Sequence, residues 1–425
     1  MSVRPLRVGV AGLGQGAGGV MPSMAAMPEI DLIAGADINP KMRKGFEERY
    51  PGTRTYDSVA GLAKDPDVEA IWVSTPNKYH CEHAIEAMRN GKHVAVEKPM
   101  AIDLAEADRM CEAAEKYGVK LLAGHTSSYG LGVRAMRRVA IEGGLGEVRA
   151  IFIWSYTDWM LRPRTADELV FEQGGGLIHR QGPHQIDTLR LLGGGMLRSV
   201  RGTTGSWHKE RPIPGFYTAY MEFEDGTPAT ILHNGYGYFL TAELYPWAPP
   251  MHRYQESDRV RFRKGMRAGA RDEETEKAAY RIGGAEDKTL QKAPTEMPPW
   301  TPYDMGMLVL SCDRGDVRHS KYGLTIYGDD GPRELDLRPF GRNEADFEGG
   351  VTLQALEELH AAIVLDQPLY HSGAWGRATL EAALAIITSG RERREILLER
   401  QVPMPASYDL DFRLNTTTAT ISTRD

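Results

Sequence analysis

The sequence predicts two folded units: an α/β domain built on a doubly wound parallel sheet (residues 1–126), and an α+β domain with a large, mostly antiparallel sheet (127–425). Three observations predict this. Short apolar runs alternate with helix-patterned stretches through the first 125 residues, as a parallel sheet with crossover helices requires. Beyond residue 126, strand-like runs succeed one another with turn signals and no intervening helix. At 425 residues the chain is also long for one hydrophobic core.

In the first unit, "LRVGVAG", "IDLIAGAD" ending at Asp37, "VEAIWVSTP" (68–76), "KHVAVEKP" (92–99) and "VKLLAGH" ending at His125 read as strands. "YHCEHAIEAMRNG" and "LAEADRMCEAAEKYG" carry apolar residues at helical spacing and finish on the glycine expected at a helix C-terminus. In the second unit, "EVRAIFIWSY", "YTAYMEFED", "TPATILHNGYGYF" and "YGLTIYGDD" are β-rich runs closed by turns such as "EDG" and "GDDG". Residues 246–300 are highly charged, with prolines at both ends, and read as a partly helical surface insertion, either a lid or an oligomer contact. "WGRATLEAALAIITSGRER" reads as an amphipathic helix, and "NTTTATISTRD" as a frayed tail or an arm.

Hydrophobic residues at 41% and charged residues at 26% fit a soluble globular enzyme. A net charge of −7 argues against nucleic acid or an anionic membrane as the main partner. Cys81, Cys111 and Cys312 form no CxxC pair and read as reduced thiols of a cytoplasmic protein. The opening "MSVRPLRVGV" lacks a signal-peptide hydrophobic region, and no apolar run approaches transmembrane length. No metal is expected, because no histidine or cysteine cluster has ligand spacing.

"VGVAGLGQGAGGV" packs six glycines into residues 8–20, directly after the first strand. Each glycine costs on the order of 0.5–1 kcal/mol against alanine in a regular element, so the stretch needs bare backbone. Gly12, Gly14 and Ala17 form G-x-G-x-x-A: a tight turn, a close approach to a pyrophosphate, and a helix held near the sheet. Gln15 and Gly16 complete the turn at the helix N-terminus, where phosphate binds. Asp37 ends the next strand, at the place where an acid binds a ribose hydroxyl. The expected cofactor is therefore NAD. Lys41 and Arg43 follow closely and leave NADP open.

Residues 74–101, "STPNKYHCEHAIEAMRNGKHVAVEKPMA", resemble the signature of the glucose–fructose oxidoreductase and inositol dehydrogenase family, Gfo/Idh/MocA. Thr75, Pro76, Asn77 and His80 match its T-P-N-x-x-H segment, and Glu97, Lys98 and Pro99 its E-K-P segment. The resemblance implies that both segments flank the nicotinamide, that Lys98 is a catalytic-site residue and that a cis bond precedes Pro99. Lys98 also ends a predicted parallel strand, where such sheets bind ligands. A lysine there can stabilise the oxyanion that forms as hydride leaves.

"GGGLIHRQGPHQIDTLRLLGG" (174–194) matches a second family pattern, a glycine cluster followed by D-x-x-x-H-x-x-D on a helix. The resemblance makes His184 the catalytic base, with Asp187 beside it at the substrate. Arg180 stands where most relatives carry an aspartate, and "GHTSSYG" lacks the arginine that often precedes the aromatic Tyr129. An arginine cannot act as a base but binds carboxylates through its planar fork. Tyr129 and Trp154 join the expected substrate contacts, although strand aromatics more often pack a sheet face.

Runs in the second half resemble the family branch that oxidises phthalate 4,5-cis-dihydrodiol, which implies a cyclic cis-dihydrodiol carboxylate as substrate. A sugar, cyclitol or glycoside dehydrogenase (including one acting at C3 of a glycoside) and a non-catalytic ligand sensor stay open. Family members pair through the exposed face of the second sheet, so the resemblance implies a homodimer or homotetramer.

Overall fold

The computed structural model describes residues 4–124, 126–142, 144–247, 255–287, 289, 299–302, 305–340, 350–405 and 407–408. Its first sheet contains β1 (Leu6–Ala11), β2 (Ile30–Ala36), β3 (Arg54–Tyr56), β4 (Ala70–Val73), β5 (His93–Val96) and β6 (Leu121–Ala123). These lie in the order β3-β2-β1-β4-β5-β6, all parallel. β1 and β4 are buried almost throughout, as strands covered by helices on both faces must be. Five helices connect them: α1 (Gln15–Ala26), α2 (Pro40–Arg49), α3 (Val59–Ala63), α4 (His80–Arg89) and α5 (Leu104–Tyr117). Asp103 caps α5 by accepting from the Glu106 amide, and Gly118 ends it at φ 63°, the left-handed geometry its missing side chain allows.

The chain leaves β1 toward one edge of the sheet and reaches β4 toward the other. A crevice therefore opens beyond the C-terminal ends of β1 and β4, the switch point of such sheets. β3, three residues long, carries too little pattern to be read from the sequence. The expected end of the fifth strand, His125, lies outside the described residues.

The second sheet has nine strands: β7 (Val148–Tyr156), β8 (Leu197–Gly205), β9 (Phe216–Phe223), β10 (Pro228–Asn234), β11 (Met307–Cys312), β12 (Gly315–His319), β13 (Gly323–Gly328), β14 (Gly331–Asp336) and β15 (Ile396–Leu397). Their order is β14-β13-β12-β11-β7-β10-β9-β8-β15, and β7 with β10 is the parallel pair in an otherwise antiparallel ladder. Helices α6 (Leu131–Glu142), α7 (Leu177–Leu192) and α11 (Gly373–Glu392) cover one face. Ile151 and Ile153 of β7 meet Ile178, Ile186 and Leu189 of α7 in the resulting core.

α10 (Gly350–Val364) returns to the first sheet, where Ala355, Leu356 and Leu359 join the cluster formed by Leu6, Val8 and Val10. α11 touches both sheets: Leu380 belongs to the first core and Ile386 to the second. The described part of the charged insertion forms α8 (Glu256–Arg267) and α9 (Glu273–Ala278). Residues 248–254, 288 and 290–298 of that insertion, and the expected tail at 415–425, lie outside the described residues.

Candidate active site

The glycine turn closes β1 onto α1. Gly12 has φ 87°, and a Cβ there would lie 2.8 Å from the backbone of Ser74 and Thr75. Only glycine lets the turn sit so close to the end of β4. Gly14 is the N-cap of α1 with no side-chain cap, and nothing lies within 4 Å of its Cβ position. The first amides of α1, through Gln15 and Gly16, thus rim an open space, while Ala17 is buried against the sheet. Unpaired N–H groups at a helix start with bare backbone before them fit a dinucleotide pyrophosphate.

Asp37 borders the same turn: its Oδ2 accepts from the Leu13 amide at 2.9 Å and its Oδ1 from the Asn39 amide at 2.8 Å. The Arg43 guanidinium donates to the backbone carbonyl of Asp37 at 2.7 Å and makes no hydrogen bond to its carboxylate.

The T-P-N and E-K-P segments meet at the mouth of β4 and β5. His80 Nδ1 lies 2.8 Å from the Pro99 carbonyl and Nε2 lies 2.7 Å from that of Thr75. Burial pushes the His80 pKa down, despite those carbonyls and nearby Glu97. His80 was expected at the cofactor, but it is buried with both ring nitrogens engaged, so it holds the two loops together instead. Glu97 is likewise buried and accepts from the Trp72 indole at 3.1 Å. Pro76 is exposed at the crevice, and the Asn77 amide donates to the Gly174 carbonyl at 2.9 Å, joining the two domains.

The Lys98–Pro99 bond is cis. Gly124, at φ 70°, follows β6 so close to this bond that a Cβ there would lie 3.2 Å from the Lys98 Cβ. From there Lys98 Nζ donates to the Arg180 carbonyl at 3.0 Å, in the turn of α7 that leads to half-buried His184. His184 Nδ1 lies 3.4 Å from Ser127 Oγ. Lys98 thus meets the backbone of α7 at Arg180, with His184 one helical turn further along that helix.

Asp187 lines a small cavity with Lys98, Thr126 and Pro183. It is buried, its Oδ2 accepts from Thr126 and Ser128, and its Oδ1 accepts from the Trp375 indole and from Thr379 at 3.3 Å. Four donors saturate the carboxylate, so it ties α7 to α11. Tyr129 is also buried, with its ring 4.0 Å from the His371 ring. His371 Nδ1 pairs with Glu358 at 2.8 Å, and its Nε2 lies 3.3 Å from Ser128 Oγ. Trp154 is corrected outright. Strand alternation puts Ile153 and Ser155 in the core, so Trp154 falls on the opposite, open face with Tyr156 and with Phe152, which is 44% exposed.

The sequence offered no motif for the acid beside Arg180. Glu168 Oε1 lies 3.0 Å from Arg180 Nη2 and 3.8 Å from Arg164 Nη1, and its Oε2 accepts from Lys277 of α9. Burial pushes the Glu168 pKa up, but Arg180, Arg164 and Lys277 together hold it well below the usual carboxylate range. The one sequence hint is the glycine cluster. A Cβ at Gly175 would lie 2.5 Å from the Glu168 carbonyl, so the triplet marks the close approach of that loop.

A family model described as an oxidoreductase family with an NAD-binding Rossmann fold matches residues 6–125, and a GFO/IDH/MocA C-terminal domain model matches residues 133–238. A Comamonas testosteroni protein named 1-carboxy-3-chloro-3,4-dihydroxycyclohexa-1,5-diene dehydrogenase is 29% identical over 388 residues, 91% of this chain and 95% of its own. D-glucoside 3-dehydrogenase of Escherichia coli K12 is 32% identical over 54% of this chain and 64% of its own. The crystal structure of a provisionally assigned dehydrogenase from Bordetella bronchiseptica RB50 matches with TM-score 0.81 at 33% identity, covering 92% of this chain and all of that one. With both domains matched and the glycine cradle shaped for a dinucleotide, the chain belongs to the Gfo/Idh/MocA family of NAD-binding oxidoreductases.

Proposed function

We propose that this NAD-dependent oxidoreductase oxidises a cyclic cis-dihydrodiol bearing a carboxylate, of which phthalate 4,5-cis-dihydrodiol is an example. The observation that carries this reading is Arg180, one helical turn before His184 with its carbonyl on Lys98. A guanidinium one helical turn before the base suits a ring carboxylate near the reacting hydroxyl. A relative matching over most of both chains is named for a carboxylated dihydroxycyclohexadiene, which supports the same class.

In this reading the glycine turn from Gly12 to Ala17 holds the pyrophosphate, Asp37 the ribose, and the Thr75–Asn77 loop flanks the nicotinamide. NAD supplies the hydride acceptor. Lys98 hydrogen-bonds the substrate oxygen and stabilises the negative charge that grows there. His184 takes the hydroxyl proton as the C–H hydride departs, and the C–O bond becomes C=O. The resulting enone loses a ring proton and regains it on oxygen, giving the catechol. Arg180 grips the carboxylate and fixes which carbon faces the hydride acceptor. We also infer that two copies pair across the open sheet face carrying Phe152 and Trp154.

The test is NADH formation with carboxylated cis-dihydrodiols, neutral cis-dihydrodiols and glycosides. The proposal expects turnover of the acidic diols, and Arg180→Ala raising their KM by about tenfold or more with kcat largely kept, the mark of lost uniform binding. Turnover of glycosides with none of the acidic diols would transfer the assignment to a glycoside dehydrogenase.

A further inference from the structure

Burial along the chain singles out a serine beside the residues already described. α7 runs for 16 residues, and all are buried except Arg180 and His184, one turn apart on one face. After β5, Lys98 is the half-buried position between buried Glu97 and buried Pro99 and Met100. After β6 the chain makes a 3₁₀ turn over Ser127–Tyr129, in which Ser128 and Tyr129 are buried and Ser127 is not. A few part-open polar side chains set in buried stretches are what the wall of a small-molecule site consists of.

The turn that carries Ser127 is held from several sides. Ser128 donates to Asp187 and lies 3.3 Å from His371 Nε2, while the Tyr129 ring stands 4.0 Å from the same imidazole. Glu358 of α10 fixes that imidazole in turn, accepting from the His371 amide at 2.7 Å and from Nδ1 at 2.8 Å. The Gly130 amide closes the turn on the Ser127 carbonyl at 3.0 Å. Thr126 and Ser128 both spend their hydroxyls on Asp187, whereas Ser127 Oγ lies 3.4 Å from His184 Nδ1. Catalytic hydrogen bonds of this length tighten once a substrate is bound.

We propose that Ser127 is a positioning residue of the active site: its hydroxyl accepts the Nδ1–H of His184 and so keeps Nε2 bare for the substrate proton. The inference rests on the reading of His184 as the base and deepens it. A neutral imidazole carries one ring proton, and the partner of one nitrogen decides which nitrogen carries it. With Nδ1–H on Ser127, Nε2 takes the hydroxyl proton, the O–H electron pair forms the C=O bond, and the C–H hydride leaves to NAD. The imidazolium keeps its Nδ1 hydrogen bond throughout, so the ring does not turn as it gains charge. A buried turn gives that serine little freedom to move away.

Histidine-selective ¹⁵N labelling reads the tautomer from the ring nitrogen shifts, with His184→Ala assigning the signal. The unaltered protein is expected to show neutral His184 protonated at Nδ1. Ser127→Ala should move the tautomer ratio about tenfold toward Nε2–H, the scale of one hydrogen bond, and Ser127→Thr should restore it. With phthalate 4,5-cis-dihydrodiol and NAD, Ser127→Ala should lower kcat about tenfold with KM within about twofold, and Ser127→Thr should recover most of the rate. Nε2–H as the main form in the unaltered protein overturns the proposal, and that measurement needs no variant to fold. A tautomer ratio indifferent to Ser127→Ala, or a loss confined to KM, overturns it too. Full kcat in His184→Ala overturns the base reading instead, and absence of turnover overturns the substrate assignment; neither alters what the ring shifts report about Ser127.

Discussion

The ammonium of Lys98 donates to the carbonyl of Arg180 at 3.0 Å, so the end of β5 is pinned to the turn of α7 that leads to His184. One side chain thereby sets the spacing between the two domains' contributions to the site. If Lys98 and His184 act on the substrate hydroxyl, Lys98→Ala and His184→Ala should each lower kcat by roughly 10²–10⁴-fold. NADH binding, read by fluorescence, should change by less than about threefold, since phosphate and ribose contacts lie elsewhere. A large loss of NADH affinity in either variant would make that residue a cofactor contact.

Asp37 should enforce preference for NAD. Its carboxylate lies beside the cradle, and Arg43 is spent on the Asp37 backbone carbonyl rather than on neutralising the acid. The expected outcome is NAD bound at least about tenfold more tightly than NADP, the effect of placing a 2′-phosphate against a carboxylate. Asp37→Ser should narrow the ratio. Titration of the protein with both cofactors reads it, and an NADP preference would refute this role.

Asp187→Ala should unfold the protein more readily without changing the chemistry expected at His184. It strips a partner from Thr126, Ser128, the Trp375 indole and Thr379, all in buried surroundings. At about 1–3 kcal/mol for each donor left unsatisfied, a loss of several kcal/mol in denaturant titration is expected, with Asn at this position losing less. A variant of unchanged stability and lost activity would return Asp187 to the substrate.

His319 should make stability fall on the acid side. It is fully buried, stacked on Trp300 at 4.3 Å with 2° between the rings, and burial lowers its pKa to about 3. The unfolded chain takes up the proton near pH 6.5 and the folded one does not, so stability is full above that pH and is lost as pH falls toward 3. The slope approaches about 1.4 kcal/mol per pH unit for this one group. His319→Phe keeps the stack and should flatten the melting-temperature profile over that window.

Trp154→Glu should break assembly. The residue lies on the open face of β7 beside Tyr156, near exposed Phe152 and Tyr220, where a partner would cover it. Light scattering should report a dimer or tetramer for the natural chain and a smaller species for the variant. A stable monomer at micromolar concentration in the natural chain would end the idea.

How legible the molecule was in its sequence depended on whether a feature is local. Gly12, Gly14 and the acid at Asp37 announce themselves because backbone needs are local, and the long runs "RVGVA" and "AIWV" carry their strands without help. β3 escaped because three residues hold no period. Trp154 was sent to the wrong face because residue type suggests an aromatic pocket, whereas register decides the side, and register is set by Ile151 and Ile153 meeting α7. Glu168, Lys277 and the Glu358–His371 pair were invisible for a different reason. Each is an ordinary polar residue whose meaning comes from partners more than ten positions away, brought together by packing alone.

The return of α10 and α11 to the first sheet bears on how the molecule comes into being. Leu356, Leu359 and Leu380 cap apolar surfaces laid down by Leu6, Val8 and Ile71, yet they leave the ribosome long after those strands. A nascent chain that has only just emitted β6 carries a parallel sheet with part of its covering still unmade. Contacts of such separation are slow to form and leave apolar surface uncovered in the interim. The amino-terminal sheet therefore draws part of its covering from the far end of the chain, and a fragment ending near residue 126 is expected to need an escort to stay in solution.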